Sequence, residues 1–419
     1  MSSEPSNTLE TSSHFQDLLE DLNSGVKAGR KRKIIGPIGP YLRAARWFPL
    51  AIDPFVVLEK VLYDGMEAEF AELQGNSAPG QCENVNSRQK SCEQYDALVK
   101  LVPTFSDVIS GFEKVPSAMD NFIHALSSAA NDARSDDTGS LMREGLVYML
   151  KNPGSDQFNP PLVKQQGKMA RGWNHPQTAR LLCPMRMLDM FDQDPHSFME
   201  RVREGQIKIT AAKLPAFLYD QSVFDSARKS RGCLQGYYLK RVFRHIFTGP
   251  SSALSPNARR GTKTPKGRLH GMSSPLPRAI AYAAVQAYFQ LSSATVWCQE
   301  IEDLSLVDLY DKVAEMFEGN SNKEWVEETL RLWKLETPGL RQHGRSRARR
   351  DVQPGAFDDS EDDMDGFFDS DEHPPDVGNG GNHRSAEDNV RTETSNRVDG
   401  TNGINFLPHM HFAYSSCAS

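Results

Sequence analysis

The chain has 419 residues, of which 38% are hydrophobic and 25% charged, and its formal net charge at pH 7 is −7. This length suits one large or two modest globular domains with tails. No apolar run is long enough for a membrane-spanning helix, and residues 1–23 lack the basic start and apolar core of a signal peptide, so we expect neither a membrane protein nor a secreted one.

Both ends of the chain are predicted to be disordered tails. Residues 1–39 are polar and carry a basic cluster, and only a short turn is expected there, at 15–22. Residues 339–419 form an acidic tail, in which the stretch from Asp351 onward holds 15 acidic residues against three arginines. Too few apolar residues remain in this tail to offset the entropy lost on ordering.

The first half of the chain between the tails has a helical pattern. Asp53 before Pro54 predicts a helix start, and apolar residues then recur every three or four positions until Gly75. Residues 76–90 are predicted to be a polar loop. Further helices are predicted at 92–101, 104–112, 117–131 and 139–150, the last of them capped by Asp136-Asp137-Thr138.

The second half continues in the same way. After a loop at 152–172, short helices are predicted at 177–182 and 195–204. Pro277–Leu291 is apolar nearly all round, which predicts a buried central helix.

Two capped amphipathic helices follow, one beginning at Ser305 and the other at Ser321. The pattern allows one small hairpin, around 206–220, and no larger sheet. We therefore predict a mainly α fold, with a single irregular helical domain over residues 40–338.

The cysteines give no indication of a metal site. The six of them lie apart and form no C-x-x-C pair, whereas structural zinc sites usually take ligands from two close pairs. Cys183 and Cys298 lie in apolar runs and are expected in the core. We predict no metal and no cofactor.

Positive charge is concentrated in one segment. Residues 226–299 contain no Asp or Glu over 74 consecutive positions, although the chain's composition predicts about ten. The same segment carries twelve basic residues. Such an imbalance creates a positive local field unless acidic residues from elsewhere in the fold cover it.

Within this segment, residues 234–247 divide on a helical wheel into an apolar arc and a cationic arc interrupted by Tyr237. Cations beside an aromatic ring suit a phosphate backbone, and the following loop adds more cations and hydroxyls. We predict that the basic helix and loop at 228–268 bind DNA, RNA or another polyanion. The site residues are Lys240, Arg241, Arg244, Arg259, Arg260, Lys263 and Lys266. The simpler interpretation is a solvated basic face, paired with acidic residues of the fold such as Asp192, Asp194, Glu302 or Asp303.

Two basic clusters flank the predicted domain. The first fits nuclear import and consists of Lys27, Arg30, Lys31, Arg32 and Lys33. The second contains Arg341, Arg345, Arg347, Arg349 and Arg350.

An acidic block, Asp358–Glu372, interleaves nine acidic residues with three apolar ones. It fits a segment that recruits a partner, one that competes with nucleic acid, or a solubilising tail. Ser360, with Asp363 three residues later, is a candidate phosphorylation site.

No constellation of residues indicates catalysis. Arg171–Pro176, Cys183, Asp220, His245 and His270 are the candidates, but no hydrolase, metalloprotease or dinucleotide motif accompanies them. His175 before Pro176 fits a helix cap better than a catalytic base. We therefore predict no enzyme, and an enzyme built around His175, Cys183 and His245 is the third-ranked hypothesis.

Three stretches carry a resemblance to a known family: RGWNHPQTARLLCP (171–184), LKRVFRHIFTGPSSA (239–253) and HGMSSPLPRAIAYAAVQAYFQLSS (270–293). Together they resemble an uncharacterised family that is expanded in mushroom-forming basidiomycete fungi, over about residues 141–335. The resemblance implies a fungal protein with many paralogues. It implies no activity, cofactor or site residue.

These features together favour a non-enzymatic nuclear protein that binds nucleic acid or another polyanion. The alternative is a protein-interaction scaffold that docks acidic proteins and binds no nucleic acid, and its location would be cytoplasmic. Neither hypothesis involves a membrane, and the sequence does not indicate an oligomeric state.

Overall fold

The computed structural model describes residues 6–23, 36–73, 85–112, 114–163, 167–257, 264–319 and 322–341. Fourteen α-helices and one two-stranded hairpin lie within these ranges, which confirms the predicted mainly α fold. All of the described residues belong to one compact unit, Met1–Asp369. Of the predicted disordered tails, 1–39 and 339–419, residues 1–5, 24–35 and 342–419 lie outside the described residues. The second unit, Ser370–Ser419, lies there too.

Five helices precede a long sixth helix, α6 (Pro116–Glu144), and form the first apolar core with its N-terminal half. They are α1 (Ser6–Asn23), α2 (Gly39–Ala51), α3 (Leu58–Leu73), α4 (Val85–Val99) and α5 (Phe105–Phe112). Tyr41 of α2 lies in this core, with its ring edge-on to those of Phe105 and Phe122 at centroid distances of 5.7 and 5.4 Å. Its hydroxyl hydrogen-bonds the Thr104 hydroxyl at 2.7 Å.

Helix α1 is longer than the short turn predicted at 15–22. Leu18 is completely buried, and the ring of Phe15 meets that of Phe112 at 5.2 Å. These contacts come from residues about a hundred positions away, so the local sequence gave little indication of them. Tertiary packing stabilises a helix that propensity alone would leave marginal.

Helix α6 contradicts the prediction of two helices separated at Asp136–Thr138. It runs through these residues without a break, and a short 3₁₀ helix, Gly145–Met149, follows it. Asp137 and Thr138 resemble a helix cap in sequence, yet their side chains bond to residues more than a hundred positions away. A polar side chain that has a tertiary partner does not need to cap a new helix.

The second core is built by the remaining helices. They are α7 (Pro176–Leu182), α8 (Leu188–Gln193), α9 (Pro195–Arg203), α10 (Tyr237–Thr248), α11 (Lys266–Leu269), α12 (Pro277–Leu291), α13 (Leu306–Glu318) and α14 (Lys323–Glu336). From Ala279 to Leu291, every residue of α12 is buried, which confirms the predicted central helix. None of the helices in the described part of the chain is long and apolar enough to cross a membrane.

The hairpin lies elsewhere than predicted. Strands β1 (Glu300–Ile301) and β2 (Leu304–Ser305) pair antiparallel, with Glu300 opposite Ser305. The predicted position, around 206–220, contains no strand among the described residues, although single bridges join Pro184 to Pro215 and Tyr219 to Cys233.

The predicted helix starts are partly correct. The Ser305 hydroxyl accepts the Asp308 N–H at 3.1 Å, which confirms that cap. The cap of α14 is Asn322 rather than Ser321. Asp53 accepts the N–H groups of the two residues after Pro54 as a cap would, but α3 begins only at Leu58. The predicted loop at 76–90 overlaps α4, which begins at Val85.

Helices α2 and α6 connect the two cores. On α2, Tyr41 and Phe48 belong to the first core, whereas Trp47 and Leu50 belong to the second. Helix α6 is divided along its length, with Leu126 in the first core and Leu141 in the second. The helices around the acid-free segment are therefore fixed against the N-terminal part of the chain.

Candidate functional site

The predicted cationic helix face is largely covered by partners from the fold. Lys240 and Arg244 of α10 both bind the carboxylate of Glu336 at the end of α14, at 3.2 and 3.1 Å. The guanidinium of Arg244 also donates to the Ala253 carbonyl oxygen at 2.8 Å. A polyanion would have to displace Glu336 before it could reach these two cations.

Arg241 is directed at backbone carbonyls instead of solvent. It donates to the carbonyl oxygens of Tyr148, Leu150 and Lys151, at the end of the 3₁₀ helix that follows α6. Its guanidinium also lies 4.8 Å from the centroid of the Tyr237 ring. This arginine satisfies carbonyls that have no helical partner of their own.

Lys266 of α11 forms a buried ion pair with Asp137 of α6. The Tyr282 hydroxyl donates to the other carboxylate oxygen at 3.1 Å and accepts from the Gln286 amide at 3.1 Å. Burial raises the pKa of Asp137, while Lys266 and Tyr282 oppose the shift. The pair joins α6, α11 and α12, which is a structural role.

His245 is buried between two hydroxyl groups. Its Nε2 lies 2.8 Å from the Ser140 hydroxyl, and its Nδ1 lies 3.0 Å from the Tyr148 hydroxyl. Burial lowers the pKa of His245 to about 4, and the positive charges of Lys266 and Arg143 act in the same direction. The ring is therefore neutral at physiological pH and connects α10 to α6.

These contacts correct one expectation from the sequence. The face of α10 that carries Arg244 and His245 is buried rather than solvated. Glu336 and the Ala253 carbonyl satisfy Arg244, and two hydroxyl groups satisfy His245. The remaining predicted binding residues, Arg259, Arg260 and Lys263, lie outside the described residues, as do the import cluster 27–33 and Ser360.

The candidate catalytic groups have separate partners. His175 caps α7, as the sequence predicted: its Nδ1 accepts the Gln177 N–H at 3.2 Å and its Nε2 donates to the Pro160 carbonyl at 2.7 Å. The Cys183 thiol is buried, and burial raises its pKa to about 12. Neither His175 nor His245 hydrogen-bonds Cys183 in the described part of the structure. No group of His, Cys, Asp or Glu residues there could hold a metal ion.

Two further basic side chains are buried, Lys168 and Arg171. Of these, only Arg171 is among the candidates from the sequence, where it is considered for catalysis rather than for a structural role. Lys168 donates to the Phe289 carbonyl, and Arg171 donates to the Gln290 carbonyl at 3.0 Å. Both carbonyls belong to the last turn of α12, whose oxygens have no partner within the helix and accept hydrogen bonds from these two side chains. Burial, together with the charge of Arg171, lowers the pKa of Lys168 to about 6. These residues cap the central helix.

Exposed cations of the acid-free segment lie instead on a loop at its start, residues 220–232, which we call the basic loop. A bridge between Tyr219 and Cys233 closes it, and the Asp220 N–H donates to the Gly232 carbonyl at 2.8 Å. Gly232 has a φ of 74°, and a Cβ there would lie 2.6 Å from the Asp220 carbonyl oxygen. Only glycine fits this position without strain.

The basic loop is held in shape by its own acidic residues. The Asp220 carboxylate accepts the N–H and hydroxyl of Ser222, and the Asp225 carboxylate accepts the Ala227 N–H at 2.9 Å. Such Asx turns fix a backbone without regular secondary structure. The indole N–H of Trp325 on α14 donates to the Ser230 carbonyl at 3.0 Å and attaches the loop to the fold.

Three cations extend from this loop: Arg228, Lys229 and Arg231. All three are exposed, and none lies within ion-pair distance of a carboxylate among the described residues. The acid-free stretch contains all three, but they lie outside residues 234–247, where a helical wheel shows a cationic arc. The closely spaced Asp, Ser and Gly residues of DSARKSRG are the signal that could have identified an ordered, exposed loop.

Comparison with known proteins identifies a family but no activity. No curated protein and no solved structure matches the chain. Residues 128–336 match the model of a family of unknown function, and the predicted resemblance to such a family over about 141–335 is thereby confirmed. Through this segment the chain belongs to a family of unknown function (DUF6698).

Proposed function

We propose that this protein binds nucleic acid or another polyanion through the basic loop and catalyses no reaction. The observation that carries the proposal is the set of three exposed cations, Arg228, Lys229 and Arg231, on a loop whose backbone is fixed by internal hydrogen bonds. A polyanion can meet them without displacing a carboxylate of the described residues.

The electrostatic reason is the release of counterions. Each phosphate that a Lys or Arg neutralises releases a condensed ion, so the logarithm of the affinity falls with the logarithm of salt by about 0.7–0.9 per contact. Lys240, Arg244 and Lys266 already have carboxylate partners in the fold. Binding through them would break these ion pairs and leave the buried Asp137 without its cation. The basic loop carries no such cost.

The test is a salt titration of binding to a fluorescently labelled oligonucleotide, with the full chain and a triple variant, R228Q/K229Q/R231Q. We expect the variant to bind at least about tenfold more weakly at low salt, with a salt slope smaller by about 2–3. A matched control, R201Q/R203Q/K208Q, removes three other exposed cations and the same net charge. This control should leave the affinity at low salt and the salt slope nearly unchanged.

Equal losses in the two variants would show that net charge, and not the basic loop, governs binding. Absence of binding at low salt in the unaltered chain would overturn the proposal and favour the alternative, a scaffold for acidic proteins. A third variant, R259Q/R260Q/K263Q, tests the rest of the site predicted from the sequence.

A nuclear location and a basidiomycete source belong to the same proposal. The first rests on the cluster Lys27 and Arg30–Lys33. A fluorescent fusion of the full chain should accumulate in nuclei and lose this preference when those five residues are changed to Ala. A fusion that is cytoplasmic from the outset would contradict the nuclear location.

A further inference from the structure

Aromatic side chains border the basic loop. Trp325 of α14 bonds to the backbone at Ser230, between Lys229 and Arg231. On the loop itself Phe224 is half-buried, with its ring edge-on to that of Tyr219 at 5.4 Å. Exposed cations and partly exposed rings therefore occupy one surface.

The position of Trp325 is fixed from two directions. Its indole N–H donates to the Ser230 carbonyl at 3.0 Å, and its ring meets that of Phe317 at a centroid distance of 5.8 Å and an angle of 32°. The side chain nevertheless remains partly exposed. A rigid, partly exposed indole offers a stacking surface at little cost in side-chain entropy.

Charge alone makes this surface a weak site. The basic loop contains Asp220 and Asp225 as well as its three cations, and Glu324 and Glu327 of α14 are exposed next to Trp325 in the sequence. A carboxylate within a Debye length of a bound phosphate, about 8 Å, repels it at physiological salt. Appreciable affinity therefore requires a contribution other than phosphate neutralisation.

We infer that the basic loop and Trp325 together bind single-stranded nucleic acid in preference to duplex, with an unpaired base stacked on the Trp325 indole and adjacent phosphates on Lys229 and Arg231. The inference rests on the proposed function and specifies its ligand. In a duplex the base faces are already stacked on one another, so Trp325 gains no partner there. In a single strand each stacked base adds about tenfold to the affinity.

The sequence positions support simultaneous contact. Lys229 and Arg231 flank Ser230, so their Cα atoms lie about 3.8 Å from that of the residue to which Trp325 is bonded. The flexible side chains of Lys229 and Arg231 can then contact the phosphates of a single strand while one of its bases stacks on the Trp325 indole. Because stacking accepts any base, we expect little sequence preference.

The experiment compares binding of the full chain to a deoxythymidine oligonucleotide of about 15 residues and to a duplex of the same length, a size suited to a single-strand site. Two variants separate the ring from the hydrogen bond. W325L removes both the aromatic ring and the bond to Ser230, whereas W325F removes only the bond. We expect W325L to weaken single-strand binding about tenfold, whereas W325F should bind single strands almost as tightly as the unaltered chain. Neither variant should change duplex binding.

Tryptophan emission provides an independent readout. Three of the five tryptophans, Trp47, Trp173 and Trp333, are buried, and Trp325 and Trp297 are partly exposed. Single strands should quench the emission of the W297F variant and leave that of W325F unquenched.

Duplex binding as tight as single-strand binding, or equal losses for both ligands in W325L, would overturn this inference and leave the proposed function standing. The absence of binding to either ligand would overturn the proposed function itself. Thermal unfolding of W325L and W325F monitors their folding, and W325F retains the ring if W325L is unstable.

Discussion

The polar residues of the second core show how single side chains obtain partners that the local sequence does not indicate. Lys240, Arg244 and Lys266 bind carboxylates that lie 96, 92 and 129 positions away along the chain. A helical wheel sorts residues by face, but it contains no information on what covers that face. The local cap at His175 was predicted because both of its participants are neighbours in sequence.

Acidification should destabilise the protein through His245. Its pKa in the folded state is about 4, below the ordinary value of 6.5, because burial disfavours the charged ring. The unfolded state therefore binds more protons between these two values, and the free energy of unfolding falls as pH decreases from 6.5 to 4. The loss from this group amounts to about 3 kcal/mol. His270 acts in the same direction, since burial lowers its pKa to about 3.

Urea unfolding at intervals between pH 7.5 and 4 measures this effect, with H245Q as the comparison. Carboxylates contribute to the acid limb in both proteins, so the difference between the two curves isolates His245. We expect the unaltered chain to lose stability more steeply than H245Q, by up to about 1.4 kcal/mol per pH unit. Parallel curves would mean that the pKa of His245 is the same in the folded and unfolded states, which would contradict this prediction.

At the level of elements, the continuity of α6 has a direct test at Gly139. This residue lies inside the helix, and a Cβ there would meet only the Arg143 guanidinium, at an ordinary 3.6 Å. Alanine loses less backbone entropy than glycine on entering a helix, so G139A should raise the free energy of unfolding by about 0.5–1 kcal/mol. Chemical denaturation of the full chain measures the change.

Gly65 of α3 provides the control. It is also inside a helix, but a Cβ there would lie 2.0 Å from the Tyr95 ring of α4. G65A should therefore destabilise the protein by about 1–3 kcal/mol through overpacking. If G139A were destabilising too, the chain would turn at 136–139, as the sequence first suggested, and α6 would not be continuous.

A helix or a helix cap could be predicted from the sequence when the residues that stabilise it are neighbours in the chain. The predictions of the buried helix α12 and of the Ser305 cap were correct, because apolar composition and the spacing of a capping residue are local signals. The break predicted in α6 was wrong, since Asp137 has partners on α11 and α12. Arg228–Arg231 lie inside the predicted binding segment, 228–268, but not among its seven site residues, because their exposure depends on which acidic residues elsewhere in the chain reach them.

For the whole molecule, the family segment and the folding unit do not coincide. Residues 128–336 begin within α6, which runs from Pro116. Helix α2 lies wholly outside the family segment, yet its Trp47 contacts that segment. The indole stacks on His270 at a centroid distance of 4.5 Å and meets Phe247 edge-on at 6.0 Å. The second core is therefore completed by residues from outside the family match.

A fragment limited to the family segment should consequently be unstable. Residues 128–341 lack Trp47 and the first 12 of the 29 residues of α6. Phe247 and His270 therefore lose a buried neighbour, and loss of one such aromatic contact costs about 3–5 kcal/mol. A fragment of residues 6–341 retains both cores. Thermal unfolding should be cooperative for 6–341 and shifted to lower temperature or lost for 128–341, which should also bind a hydrophobic dye. The same transition temperature in both would show that the second core folds without α2, and binding assays could then use the shorter fragment.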